Sequence, residues 1–260
     1  QVVPMFHANG WGVPYAAIMN GARLVLSGRW LQPEDIASLI ESEHVTFTFG
    51  VPTLWMALAN WLEANPCDIS SLRCIVVAGS ALPKQFVDHY QQRHDIEIRL
   101  AWGMTETTPI ATVTKLPAGA PLEQRARHGR ISAGLEIRIL GDDHSHVPWD
   151  GQTMGELQIR GAWVTGGYHA QTDTSATHDD GWFRTGDVAT IDAEGYMTIV
   201  DRIKDLIIRG GENIGCGQVE AALLMHPAVH EAAVYAVPDE RLGEEVGATV
   251  CADPGLDADA

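Results

Sequence analysis

The apolar residues of the first hundred positions repeat with two different periods. Ile36, Leu39 and Ile40 have the i, i+3, i+4 spacing of one helix face, and a proline with two acidic residues precedes them. Short β-branched or alternating runs lie between such segments and predict strands. The predicted helices are residues 33–43, 53–64 and 83–94, and the predicted strands are residues 73–78 and 96–100. Strand, helix and strand at this spacing predict a parallel sheet.

The pattern changes after about Gly129, where short alternating runs and turn residues replace the helix period. This second pattern predicts an antiparallel sheet or a small barrel. After Arg202 a third pattern combines one helix with strand-like runs, which predicts a small and incomplete α+β unit. The runs concerned are residues 137–139, 156–159, 188–200 with a hairpin turn at 192–195, 205–208, 218–225, 229–237 and 246–252.

Composition narrows the class of protein. The 260 residues are 45% hydrophobic, with 17 Lys and Arg against 34 Asp and Glu, a formal charge of −17. These values exclude a disordered chain, and no apolar run approaches the ~20 residues of a membrane span. The acidic balance argues against nucleic acid and anionic membranes as partners, but it leaves phosphorylated small ligands open. Four cysteines without CxxC spacing are typical of reduced thiols in a cytoplasmic protein.

Two predicted strand ends carry side chains suited to ligand binding, since ligands of open α/β sheets lie beyond the carboxyl ends of strands. Residues 77–81 are small and would let a flat ligand approach the backbone, although for this segment alone a tight strand-to-helix turn is the favoured explanation. Residues 101–107 offer an aromatic plane, a glycine, hydroxyls and a carboxylate that can hold Mg²⁺. The alternative there is a buried Trp102 and a solvated Glu106.

The segment WGMTET at residues 102–107 resembles the Y-G-x-T-E motif of the adenylate-forming superfamily, which contains the acyl-CoA synthetases. Four further segments resemble motifs of that superfamily, in the same order. They are FHANGW at 6–11, WFRTGD at 182–187, GY through DRIKDLI at 195–207 and GGENI at 210–214. FHANGW, and TFGVPT at 48–53, are most similar to medium- and long-chain fatty acyl-CoA synthetases and to methylmercaptopropionate CoA ligases.

The resemblance implies an α/β fold in several parts. We expect a parallel-sheet subdomain and a small β-barrel subdomain of the large adenylation domain, then a hinge and a partial α+β C-terminal domain. Residues 1–200 would be the C-terminal part of the large AMP-binding domain, with 1–127 as the α/β sheet region and 128–200 as the barrel-like region. Residues 201–204 would be the hinge and 205–260 part of the small domain.

The resemblance also implies an activity, that of an ATP-dependent ligase that activates a fatty acid as acyl-AMP and transfers it to CoA. ATP, Mg²⁺, CoA and a small carboxylic acid would be its ligands; a homodimer is compatible with this, and a nucleic acid partner is not expected. Two alternatives stay open. One is a ligase for methylmercaptopropionate or another short or branched acid, and the other is a non-catalytic nucleotide- or acyl-binding module. Transfer to a carrier protein instead of CoA is a third, less favoured option.

Roles follow from the motif matches, position by position. Trp102 is expected to stack on adenine, Asp187 to accept the ribose hydroxyls and Glu106 to bind Mg²⁺. Lys204 is the hinge position, and Gly50 would leave room for a long acyl chain. The expected catalytic residues are Thr105, Glu106, Arg202, Lys204 and His7. The expected cofactor-binding residues are Gly79, Ser80, Ala81, Ala101, Trp102, Gly103, Met104, Thr105, Asp187, Arg202, Gly210, Gly211 and Glu212. The expected acyl pocket is His7, Trp11, Phe49, Gly50, Val51, Pro52 and Thr53.

Some features depart from the superfamily's pattern. Residues 215–218 read GCGQ, and two glycines there would loosen the start of the following helix. Cys216 has no paired base in the sequence that would make it a nucleophile. The glycine-rich phosphate loop and the C-terminal catalytic lysine of the superfamily are not in these 260 residues, and the first residue is Gln1. We therefore expect a piece of a longer enzyme that is inactive by itself.

Overall fold

The computed structural model describes residues 1–80, 82–116, 119–169, 180–226 and 228–252. The predicted parallel sheet is confirmed. Its strands follow one another in the order β1 to β5, and the first three are parallel while the last two pair antiparallel. The strands are β1 Phe47–Gly50, β2 Cys74–Val77, β3 Glu97–Gly103, β4 Ile110–Val113 and β5 Arg130–Ile131.

Helices connect and cover the parallel strands. The helices are α1 Ala8–Trp11, α2 Val13–Met19, α3 Pro33–Glu43, α4 Pro52–Ala64, α5 Lys84–His94, α6 Leu122–Arg125 and α7 Cys216–Leu223. Prediction and structure agree to within one residue for α3, α4 and α5. Their apolar faces form one core with β2 and β3, in which Leu58 and Ile75 are fully buried. Tyr90 ties α5 to α4, because its hydroxyl donates to the Trp55 carbonyl oxygen at 2.6 Å.

The second sheet is an antiparallel meander, as the alternating runs predicted. It has the order β6-β7-β8-β9 and a separate core that includes Leu157, Ile191 and Met197. Its strands are β6 Leu135–Leu140, β7 Gly155–Gly161, β8 Phe183–Ile191 and β9 Met197–Arg202. The expected closed barrel is not found. Within the described residues β6 and β9 do not pair, so this sheet is open.

A third sheet and α7 form the C-terminal unit. Its order is β11-β10-β13-β12, and Ile207, Cys216 and Val234 are its buried centre. A 3-10 turn over Ile203–Asp205 delays the strand that was expected to begin at residue 205. The strands are β10 Ile207–Arg209, β11 Glu212–Ile214, β12 Val229–Asp239 and β13 Gly243–Ala252.

Several short elements have no periodicity long enough to predict, notably α1, α2, α6, β4, β5 and β11, each of seven residues or fewer. The four cysteines are free thiols, and Cys74 and Cys216 are buried. Among the helices that the structure describes, none combines the length and the apolar character needed to cross a bilayer.

Candidate functional site

The carboxyl ends of the parallel strands meet at one edge of the sheet. Gly50 pairs with Val77, and Val77 pairs with Leu100 on the next strand. A cleft of about 1310 Å³ opens at this edge and extends past β8 and β9 to the C-terminal unit. The predicted residues that line it are Pro52, Thr53, Gly79, Ser80, Ala101, Trp102, Gly103, Met104, Asp187, Arg202 and Lys204. Ala81 lies outside the described residues.

A buried hydrogen bond joins two of these predicted residues across 85 positions of sequence. The indole Nε1 of Trp102 donates to Asp187 Oδ2 at 2.8 Å. Trp102 is 7% exposed and belongs to the apolar core below the antiparallel sheet. The bond thereby connects the end of β3 in the first sheet to β8 in the second.

A bulge in β8 directs Asp187 into the cleft. Arg184 pairs with Gln158 and Val188 pairs with Glu156. The chain therefore advances four residues along β8 while it advances two along β7. Gly186 has a φ of +74°, which favours glycine. The Thr185 hydroxyl accepts from the Asp187 N–H at 3.1 Å and donates to the Leu157 carbonyl oxygen at 2.7 Å. Bulges of this kind re-aim side chains beside active sites.

The charge on Asp187 is set by opposing effects. Burial raises the pKa of its carboxyl, while the Trp102 hydrogen bond and the Arg202 guanidinium lower that pKa. Arg202 lies opposite Asp187 on β9, with its Nε 3.7 Å from Asp187 Oδ1. Its side chain is 66% exposed, so this ion pair is loose. The net effect is a raised pKa, and the Trp102 hydrogen bond is the largest of the effects that favour the ionised form of Asp187.

The WGMTET segment turns sharply after β3. Gly103 allows the turn because a Cβ there would lie 1.9 Å from the Pro109 carbonyl oxygen. The buried Thr107 hydroxyl accepts from the Met104 N–H and donates to a carbonyl oxygen of the same turn, with Pro109 O and Met104 O both within 3.0 Å. The glycine thus allows the chain to pack closely against itself, and it also lines the cleft.

Glu106 lies just outside the cleft lining, on a 3-10 turn over Thr105–Thr107. The Tyr168 hydroxyl donates to Glu106 Oε1 at 2.7 Å, and this bond raises the pKa of Tyr168 to about 12. No cluster of three or more metal-ligating side chains occurs in the part of the chain that the structure describes. A single carboxylate fits Mg²⁺, which takes one or two carboxylates and otherwise water and phosphate oxygens. Thr105 is exposed beside it.

The predicted acyl-pocket residues separate into two groups. Pro52 and Thr53 line the cleft, whereas Trp11 is buried against Phe49, with ring centroids 6.1 Å apart. The Trp11 segment is unusual, because residues 8–12 all have positive φ, between 45° and 72°. Such a left-handed turn costs roughly 1–2 kcal/mol for each non-glycine residue. His7 precedes it, with its ring 6.5 Å from that of Trp11.

Packed side chains, and not open space for a long acyl chain, lie beside Gly50. A Cβ on Gly50 would lie 3.1 Å from Trp55 Nε1 and 3.2 Å from Val2 Cγ2. The space beside Gly50 is therefore filled by packed side chains. Val51 is exposed, and its Cγ1 would lie 3.3 Å from a Cβ on Gly79.

The predicted hinge lies where β9 meets α7. Asp201 accepts from the Gly217 N–H at 3.2 Å through Oδ2, and from the Arg202 N–H at 2.8 Å through Oδ1. The Cys216 thiol donates to the Asp205 carbonyl oxygen at 2.9 Å, so Cys216 has a structural contact here. Gly210 and Gly211 form the left-handed turn between β10 and β11, with Glu212 after it, away from the cleft lining.

Sequence reasoning missed several lining residues. His128 is one of them; burial lowers its pKa to about 4, and its Nδ1 accepts from the Ile199 N–H at 3.3 Å. Seven carboxylates and three cationic side chains line the described cleft. The carboxylates are Glu156, Asp187, Asp201, Asp205, Glu220, Glu231 and Glu244, and the cations are Arg184, Arg202 and Lys204. The net charge of −17 already indicated that carboxylates outnumber cationic side chains in this chain.

The fold is similar to those of several solved synthetases. The o-succinylbenzoate CoA synthetase of Bacillus subtilis, solved with its acyl-adenylate intermediate, aligns with a TM-score of 0.85 and 29% identity, over 100% of this chain and 52% of that one. The same synthetase with ATP and a magnesium ion aligns with a TM-score of 0.82 over 97% of this chain and 51% of that chain. An amide bond synthetase from Marinactinospora thermotolerans aligns at 0.76 with 31% identity, over 87% of this chain and 45% of that one.

Comparison with curated sequences also finds CoA ligases. A long-chain-fatty-acid–CoA ligase of Thermus thermophilus is 42% identical over 96% of this chain and 48% of its own length. A 3-methylmercaptopropionyl-CoA ligase of Ruegeria pomeroyi is 41% identical over 94% of this chain and 46% of its own length. The chain thus spans about half the length of these curated relatives. Residues 1–169 match the AMP-binding enzyme family and residues 218–260 match the AMP-binding enzyme C-terminal domain. The chain therefore belongs to the family of AMP-binding enzymes.

Proposed function

We propose that this chain is part of an ATP-dependent carboxylate–CoA ligase acting on a medium- or long-chain fatty acid. The observation that carries the proposal is the convergence of Trp102, Asp187, Arg202 and Lys204 on one cleft beyond the carboxyl ends of parallel strands. Relatives named as long-chain and medium-chain fatty-acid–CoA ligases, each 42% identical, support the substrate class.

The proposed chemistry has two steps at one site. A carboxylate oxygen of the acid attacks the α-phosphorus of ATP, the bond to the bridging oxygen breaks, and pyrophosphate leaves. The thiol of CoA then attacks the carbonyl carbon of the acyl-adenylate, the bond to the AMP oxygen breaks, AMP leaves and the thiol proton goes to solvent. Both steps need positioning and neutralisation of phosphate charge.

Five of the predicted residues have a task in this scheme. Asp187 would accept the ribose hydroxyls, since a carboxylate offers several acceptor lone pairs. Arg202 would bind ribose or phosphate oxygens, and Thr105 would contact the α-phosphate. Glu106 would hold Mg²⁺, which when bound neutralises phosphate charge. Lys204 would be the hinge between the two reaction geometries, followed by the partial small C-terminal domain over residues 205–260.

We further propose that the 260-residue chain does not catalyse either step alone. Three cationic side chains oppose seven carboxylates in the described lining, so the chain by itself does not balance the charge of ATP. The remaining cations would come from parts of the longer protein, as the half-length match to its relatives suggests.

The test is acid-dependent ATP–pyrophosphate exchange by the gene product extended past both ends, with a panel of acids from acetate through methylmercaptopropionate to palmitate. We expect exchange with medium or long acids, consumption of the adenylate on addition of CoA, and no exchange by the 260-residue chain. Asp187→Asn should lower exchange more than tenfold, while Glu194→Gln in the exposed β8–β9 turn should not. Folded protein that binds ATP without exchange on any acid would contradict the proposal.

A second candidate substrate is methylmercaptopropionate. It is favoured by the 41% identity to a 3-methylmercaptopropionyl-CoA ligase and by the filled space beside Gly50. The same acid panel separates the two, because exchange confined to the short sulfur-containing acid would select this candidate.

A further inference from the structure

Trp102 has two parts that could act on a ligand, its ring face and its N–H. The ring is 7% exposed and belongs to the apolar cluster that includes Leu135 and Phe183. Little of the ring face is therefore free for stacking. The N–H, by contrast, is fully engaged, because it donates to Asp187 Oδ2 at 2.8 Å. An indole has this one polar atom and it can only donate.

Asp187 needs such a donor. Its carboxylate is buried, with a 13% exposed side chain, and burial disfavours its charged form. Arg202 is mostly exposed and 3.7 Å away. Among the described residues, Trp102 is the side chain that donates a hydrogen bond to this carboxylate. It fixes Oδ2 and leaves Oδ1, and the second lone pair of Oδ2, directed to other donors.

We propose that Trp102 is a positioning residue for Asp187, and that its indole N–H makes the cleft selective for a ligand with vicinal hydroxyls. This inference rests on the proposed nucleotide site. It differs from a stacking role because the contribution of Trp102 would vanish for a ligand that lacks the hydroxyls, whereas stacking is blind to them.

Two ligands and two replacements separate these roles in the gene product extended past both ends. The ligands are AMP and 2′,3′-dideoxyadenosine monophosphate, measured by isothermal titration calorimetry. The first replacement is Trp102→Phe, which keeps an aromatic ring. The second is β-(3-benzothienyl)alanine at position 102, which keeps the bicyclic shape and replaces N–H with sulfur, so it tests the N–H even where Trp102→Phe does not fold. The same analogue at the exposed Trp149 is the matched control.

We expect both replacements at Trp102 to weaken AMP binding about tenfold, in the range of one hydrogen bond to a charged group. Binding of the dideoxy ligand should change less than twofold, and the Trp149 control should change neither. Asp187→Asn should abolish the preference for AMP in the same way.

Equal losses for both ligands would overturn the inference in favour of stacking, and so would unchanged AMP binding by the benzothienyl variant. The proposed function fails differently. In that case the unmodified protein would not bind AMP, or would bind both ligands equally, before any substitution at Trp102 is made.

Discussion

At the scale of single residues, the cleft contains a buried imidazole. His128 lines the cleft, and its Nδ1 accepts from the Ile199 N–H, so the neutral ring carries its proton on Nε2. Burial lowers the pKa of His128 to about 4. Protonation of Nδ1 would place its N–H against the Ile199 N–H, and two donors repel each other. The folded state therefore disfavours the protonated ring.

The stability of the chain should therefore depend on pH through His128. Between its pKa of about 4 in the fold and 6.5 in the unfolded chain, the unfolded state binds more protons, so the free energy of unfolding falls as the pH falls. At pH 5 we expect a loss of about 2 kcal/mol relative to pH 7.5. Burial also lowers the pKa values of His89 and His94, so these two residues add to the pH dependence. The test therefore compares the urea unfolding of the wild type with that of His128→Gln as a function of pH. Equal pH dependence of the two proteins would contradict the role of His128.

Gly103 is the residue where an added methyl group should be most disruptive. Its Cβ would lie 1.9 Å from the Pro109 carbonyl oxygen and 2.8 Å from the Ile110 Cα. Backbone cannot move aside as a side-chain tip can, so we expect Gly103→Ala to lower the free energy of unfolding by about 3 kcal/mol or more. Gly166→Ala is the control, because nothing lies within 4 Å of its Cβ position. Similar urea midpoints for the two variants would refute the reasoning.

At the scale of elements, the start of α7 depends on another strand. Its N-cap residue is Gly215, which makes no side-chain cap hydrogen bond. Asp201 at the end of β9 supplies the missing acceptor to the Gly217 N–H at 3.2 Å. A carboxylate there also interacts favourably with the helix dipole. The expected loosening of this helix by two glycines is thus offset from outside it.

Removing this contact should destabilise α7 selectively. We expect Asp201→Ala to cost about 1 kcal/mol, the usual value of a cap, and Asp201→Asn to recover part of it. Hydrogen exchange at the Gly217 amide should accelerate in the alanine variant. The control is Asp142→Ala in an exposed turn. An unchanged exchange rate at Gly217 would remove Asp201 from this role.

At the scale of the whole molecule, the cleft carries an excess of negative charge. The described lining carries seven carboxylates and three cationic side chains, within a chain of net charge −17. Such a surface repels polyanions at low ionic strength, and salt reduces the repulsion because it shortens the Debye length from ~30 Å at 0.01 M to ~8 Å at 0.15 M.

The isolated 260-residue chain should therefore bind AMP more tightly than ATP when Mg²⁺ is absent. We expect about a tenfold difference at 0.01 M salt that narrows at 0.15 M, as measured by calorimetry. Glu231→Gln in the cleft should narrow the difference, and Glu34→Gln, at the start of α3, should not. Tighter binding of ATP at low salt would contradict the electrostatic account.

Much of this protein follows from local sequence. The helix period predicted α3, α4 and α5 to within one residue. Each of these helices buries one apolar face in the same core, and that face is visible in the sequence as a repeat of apolar residues. The order of strand and helix predicted that β2 and β3 run parallel, whereas β1 was not predicted. Residues at the ends of parallel strands share an edge, so placing Gly79, Ser80 and Trp102 in one cleft needed no knowledge of packing.

Tertiary structure decided which contacts those residues make. Trp102 and Asp187 are 85 positions apart, and a bulge in β8 brings them to 2.8 Å. Gly103 meets Pro109, and Gly50 meets Trp55, through turns that have no periodic pattern. Sequence periodicity reports which face of an element is buried, whereas hydrogen bonds between elements depend on bulges, turns and register. These are set by the packing of the whole chain.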